Sequence, residues 1–266
     1  MKKEVVFAGL FAGVIILQPF SAVLADSTST NPSLATGVTG ANPSCGITPD
    51  DLAVIKAVQN DPSLSYGAEM QQELALRKNL LTRTIQCAEI SAQQLQTDLS
   101  GTSVNSGLEN IKSQLLNDLN GASTYYSLQL QKVNVSGISG TKIIAQEVLT
   151  WRENNYAPLS ENVMNFIAWS DNQRLFTTAQ DRLAQINNLI ASPLFSENTD
   201  IQKDYQEAVV SLKAAQDQNQ YAKNAFAESL PPGQALIFIK NSLDLLSSTY
   251  QHFFDISNLI QSLLPH

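Results

Sequence analysis

Three observations predict an all-α protein, with long antiparallel helices forming a bundle of coiled-coil character behind a disordered N-terminal leader. Apolar residues recur at steps of three and four through most of the chain. Gly, Pro and Ser clusters fall between those stretches and not inside them. No alternation of apolar and polar residues runs long enough for a sheet, because the pairs Ile143-Ile144 and Val209-Val210 both sit inside helical patterns.

The N-terminus predicts the compartment. Lys2 and Lys3 precede an apolar run from Val5 to Leu17, Pro19 breaks it, and Val23-Leu24-Ala25 sets up cleavage before Asp26. The run is shorter than the roughly 20 apolar residues that span a bilayer, so residues 1–25 read as a secretory signal peptide rather than an anchor. Residues 26–47 are rich in Ser, Thr, Gly and Pro and have little to bury, which predicts a flexible leader. Residues 48–266 are the helical bundle, with a sub-division expected near 135–140.

Thr48-Pro49-Asp50-Asp51 reads as a helix start, and that short helix ends near Asn60-Asp61-Pro62. A long helix follows from about Ser65 to Leu99, with Met70, Leu74, Leu81, Ala88 and Leu95 on its apolar face. Ser106 and Glu109 have capping-box spacing for the next, whose face is Leu108, Ile111, Leu115, Leu119, Ala122, Tyr126, Leu130 and Val133. At 1.5 Å per residue each of the two is about 45–50 Å long. Gly137 or Gly140 is expected to take a positive φ in the break that follows. A fourth helix spans roughly Thr141–Tyr156, and Pro158 predicts a kink or restart.

The next helix carries Trp169, Phe176, Leu183 and Ile190 every seven residues, with Asn172, Ala179 and Ile186 between them. After a turn at 192–199 comes the most regular seam: Ile201, Tyr205, Ala208, Leu212, Ala215, Asn219, Ala222 and Phe226. Its alanines allow close helix approach, and Asn219 reads as a register-setting hydrogen bonder. Beyond Leu230-Pro-Pro-Gly233 the last helix is expected to bury Leu236, Ile239, Leu243, Leu246, Tyr250, Phe253, Ser257, Ile260 and Leu264.

Composition excludes several functions. The net charge of −8 disfavours nucleic acid and anionic lipid as partners. Cys45 and Cys87 form an even pair in an exported chain and are expected to be disulfide-bonded. The bridge would close a loop of about 42 residues, worth roughly 4 kcal/mol in the chain-entropy model. The histidines are His252 and His266, and no His-Glu-x-x-His spacing or Gly-x-Ser-x-Gly elbow accompanies them, so neither metal nor cofactor is expected. Gly137-Ile-Ser-Gly140-Thr-Lys142 lacks the spacer and order of a phosphate loop.

Aromatic, Arg and Asn side chains concentrate in two neighbouring stretches. The candidate interaction surface is Trp151, Arg152, Asn155, Tyr156, Asp171, Asn172 and Arg174, residue types enriched at protein interfaces. The expected function is non-enzymatic: a structural, adaptor or binding component of a cell envelope or extracellular assembly, periplasmic, surface-attached or secreted. It would act through protein partners and could oligomerise through its helix seams. One alternative is a membrane-active, pore-forming protein, although the longest apolar run after the signal peptide is only Ala235–Ile239. Another is a cell-wall glycan hydrolase using Glu153 beside Trp151 and Tyr156.

Overall fold

The computed structural model describes residues 49–104 and 107–263. The expected signal peptide, the leader, Cys45, Ser106, Leu264 and His266 lie outside them. Cys87 is half-buried on the second helix, and its expected pairing with Cys45 therefore stays an expectation.

Among the described residues the chain is all-helical, without strands. The elements are α1 (Pro49–Gln59), α2 (Tyr66–Gly101), α3 (Glu109–Val135), α4 (Ile138–Trp151), a π-helical turn (Arg152–Tyr156), α5 (Ala157–Ile190), α6 (Thr199–Ala227) and α7 (Pro232–Leu263). Local chemistry sets several ends. Ser65 caps α2 by accepting from the Ala68 N–H, and Asn198 caps α6 by accepting from Asp200 and Ile201. After α6, Ser229 takes a left-handed φ of 54°. There the Leu230 N–H donates to Ala225 O and the Ser229 N–H to Phe226 O, the paired bonds of a Schellman stop. Pro231 and Pro232 follow, where a helix cannot continue.

The apolar faces bury one another in three successive clusters. The largest joins α2, α3, α4, the first half of α5 and the adjoining ends of α6 and α7 around Ile85, Leu119, Tyr126, Phe166, Trp169 and Phe226. The second holds Phe176, Leu212, Leu246 and Phe253, and the third Ile190, Phe195, Ile201, Ile256 and Ile260. Helix α5 runs past all three. It is stitched to its surroundings by Asn165 donating to Pro232 O (3.0 Å), Trp169 Nε1 to Asn219 O (3.0 Å) and Ser170 Oγ to Ser103 O. Cross-links between α2 and α3 pair Lys78 with the Asn134 carbonyl, Glu89 with Ser127, and Gln96 with Asn120. Helix α1 is held to α2 by Asp51–Arg83 and by Gln59, which donates to Glu73.

Four expectations are corrected. The break near 135–140 is two residues, Ser136 and Gly137, and Gly137 has φ −90°, so no positive φ is used there. Gly140 is required for another reason: a Cβ on it would meet Ser136 Cβ at 2.9 Å. The positive-φ glycine among the described residues is Gly107, at 116°. Helix α3 starts at Glu109 with Leu108, not Ser106, in the cap position and without a side-chain cap bond; the expected capping box involves Ser106, outside the described residues. Buried Leu108 plugs the core from that position instead.

On α7 the buried row is Ala235, Ile239, Ser242, Leu246, Thr249, Phe253, Ile256 and Ile260. Leu236, Leu243, Tyr250 and Ser257 are only half-buried at its edge. Small residues take the innermost places because α6 presses close there: Ser242 Oγ donates to the Ala215 carbonyl at 3.0 Å. The fourth correction is the kink itself. The backbone does not break at Pro158 but widens ahead of it.

Candidate functional site

The widening makes the site. Proline lacks an N–H and its ring clashes with the carbonyl four residues back, here Asn154. The chain accommodates Pro158 by taking one extra residue into the preceding turn, and the Ala157 N–H donates to Arg152 O across five residues. Asn155 folds back to donate its Nδ2 to the Trp151 carbonyl at 3.2 Å, satisfying an acceptor the wide turn would strand. Turns of this kind often mark functional positions in helices.

The π turn closes one end of a groove of about 690 Å³ between α3 and α4. Tyr125, Gln129 and Lys132 line it from α3; Ile143, Gln146, Glu147, Thr150 and Trp151 from α4; Asn154 and Asn155 from the turn. Trp151 stacks on Tyr125 with centroids 3.9 Å apart and planes 14° from parallel. Buried Tyr126 supports Trp151 edge-on at 5.4 Å and Tyr156 at 5.9 Å. The Arg152 guanidinium lies 5.8 Å from the Tyr156 ring centroid, a cation–π distance. Tyr125 OH donates to the Glu147 carbonyl at 3.2 Å, and Lys132 pairs with the Glu147 carboxylate at 3.5 Å.

Burial pushes the Tyr125, Tyr126 and Tyr156 hydroxyls above the ordinary phenol range, with Arg152 partly opposing the shift at Tyr126 and Tyr156. All three therefore stay neutral near pH 7; the Tyr125 hydroxyl donates to Glu147, whereas the Tyr126 hydroxyl is buried without a hydrogen-bond partner. The groove thus offers a stacked aromatic face, an apolar wall at Ile143 (59% exposed) and a rim of amides. The carboxylate among its lining residues, Glu147, is already paired. Glu153 is exposed on the π turn but is not among those lining residues.

Of the residues singled out from the sequence, Trp151 and Asn155 line the groove, Arg152 flanks it and Tyr156 is buried behind it. Asp171 and Arg174 are exposed, but they stand on α5 roughly 22 Å further along at 1.5 Å per residue. Asn172 is buried, because it occupies the same inward seam as Trp169 and Phe176. The two stretches do not make one surface. Sequence reasoning missed Tyr125, Gln129, Lys132, Ile143 and Glu147, which come from other turns and another helix. The adjacent aromatics Tyr125-Tyr126 were a usable signal, since successive helix residues diverge in direction: Tyr126 enters the core and Tyr125 is left half-open at its edge.

No protein-family model, curated protein or solved structure matches the chain. Among the described residues no helix is long and apolar enough to cross a membrane.

Proposed function

We propose that the protein is an exported, non-enzymatic helical component of a cell envelope or extracellular assembly, which binds a partner protein in the groove beside the π turn. The observation that carries this reading is the Trp151–Tyr125 stack, half-open to solvent and rimmed by amides, on rigid helices. Aromatic anchors of this kind dominate binding energy when a partner side chain or backbone covers them. Export rests on the basic and apolar N-terminal sequence, and the same compartment favours a Cys45–Cys87 bridge.

The scaffold for binding is a set of long antiparallel helices with coiled-coil character. That direction is supported by cross-links whose numbers fall on one helix as they rise on its neighbour: 78 with 134, 89 with 127, 96 with 120. Burial at 235, 239, 242, 246, 249, 253, 256 and 260 steps by four and three, as heptads do.

A photo-crosslinking residue at Ile143, in cells producing the full chain, tests the assignment. It is expected to trap one protein partner, and Trp151→Ala should abolish the adduct. Equal trapping from exposed Val210, far along α6, would overturn the groove as the binding site. Alkylation without reductant tests the bridge, and two labelled thiols would refute it.

A further inference from the structure

His252 of α7 faces two carboxylates of α6 across the helix contact. Its Nδ1 lies 3.6 Å from Glu207 Oε2 and 4.0 Å from Asp204 Oδ1, and the three ligand atoms all fall within 4.8 Å of one another. Nδ1 is closed off from solvent yet has no hydrogen-bond partner. The His252 side chain is 19% exposed, Asp204 22% and Glu207 46%, so the trio has a closed back and an open front. Beside it is a cavity of about 390 Å³ lined by Asp200, Lys203, Asp204, Asp255, Asn258 and Leu259. Four acidic groups thus surround the site: Asp204 and Glu207 against the ring, and Asp200 and Asp255 on the cavity wall; Lys203 sits 3.9 Å from Glu207 on an exposed side chain.

We infer that Asp204, Glu207 and His252 form a binding site for a divalent transition metal of the Zn²⁺ class. An imidazole nitrogen with two carboxylate oxygens is a ligand set such ions accept, with bonds of about 2.0–2.2 Å. Tetrahedral ligands at those bond lengths stand roughly 3.4 Å apart. The His252–Glu207 separation is already close to that, and the other contacts need to shorten by about an ångström. The fourth position opens toward the cavity and would hold water. The ion would also relieve the repulsion of two carboxylates one helical turn apart and give the stranded nitrogen its partner. Imidazole disfavours Mg²⁺ and Ca²⁺, which prefer all-oxygen sets. The site does not depend on the groove, which lies at the other end of α5.

Calorimetric titration of Zn²⁺ into the full chain, purified without a histidine tag, tests the site. One equivalent should bind, and Mg²⁺ or Ca²⁺ should give no comparable heat. Loss of a residue that merely supports a ligand costs about 10–100-fold in affinity, so His252→Ala and Asp204→Asn should each weaken binding at least that much. His266→Ala should leave it unchanged. Zn²⁺ should raise the melting temperature of the wild type but not of His252→Ala, whose helicity is checked by circular dichroism. Absence of Zn²⁺ binding by the wild type, or wild-type affinity in both ligand variants, would overturn the assignment.

Discussion

The groove at the π turn and the cleft at His252 are built on different plans. The groove takes seven of its ten lining residues from one contiguous stretch, Ile143 to Asn155, and places a partner stack from α3 beneath it. The cleft takes one residue from α7 and two from α6, 45 and 48 positions away, none of them unusual in its own sequence neighbourhood. The first is a defect in a helix, widened because Pro158 cannot be fitted otherwise. The second is an ordinary helix contact in which the residues that meet happen to be chemically competent. A local irregularity announces itself in composition, whereas a contact between regular elements does so only through register.

The two tryptophans are the sharpest way to test that contrast. Trp169 belongs to the shared core, is buried, and donates to Asn219 O, so it ties the aromatic end to α6. Trp169→Ala should cost about 3–5 kcal/mol, the usual range for a buried aromatic, read from urea unfolding. A loss under about 1 kcal/mol would mean the two regions are not energetically joined there. Trp151 is half-open and held mainly by Tyr125. Trp151→Ala should cost less, about 1–3 kcal/mol from partial burial and the ring pairs with Tyr125 and Tyr126, while removing partner capture. If both substitutions cost the same, the distinction between core and groove tryptophan fails.

How much of this was legible follows from the same contrast. Periodicity revealed the helices and the inward rows of α5 and α6, because those rows answer to one strong rule, the burial of apolar faces. It misplaced the α7 row by choosing Leu243 and Tyr250 over Ser242 and Thr249. Apolarity was the wrong guide where close approach, not size, decides what lies innermost. The same limit made Asn172 look like surface. It also hid the π turn, since Pro158 announces a disturbance without saying whether the helix breaks, kinks or widens. The His252 cleft was recoverable in principle. Reflecting position 252 about the turn at 228–231 lands on Glu207, one helical turn from Asp204, but that arithmetic requires the hairpin to be assumed first.

The inward polar groups of α5 and α6 offer a test of opposite sign. Asn172 Nδ2 and Asn219 Oδ1 are buried without hydrogen-bond partners between the first two core clusters. A buried donor without a partner forfeits about 1–3 kcal/mol of hydration, and leucine has nearly the shape of asparagine. Asn172→Leu should therefore stabilise the protein by about 1 kcal/mol in urea unfolding. A destabilisation would show that the amide sets register through contacts stronger than its burial cost. Zn²⁺ affinity at His252 should be unaffected in this variant, since the cleft lies several turns away along α6.

The smallest effect concerns the turn that sets the opposition of α6 and α7. Ser229 holds φ 54° at the Schellman stop, a position usually filled by glycine because a Cβ crowds the following carbonyl there. Ser229→Gly removes that strain, worth about 1 kcal/mol, but gives back part of it because glycine frees the unfolded chain by about 0.4–1 kcal/mol. The net should be a gain of a few tenths of a kcal/mol, resolvable as a raised urea midpoint at unchanged slope. The backbone bonds Leu230 to Ala225 and Ser229 to Phe226 should persist, so the register that brings His252 opposite Asp204 should persist with them. Unchanged Zn²⁺ binding in Ser229→Gly would then separate the turn's strain from the cleft's geometry. Weakened binding would mean the strained serine itself holds the two helices in register.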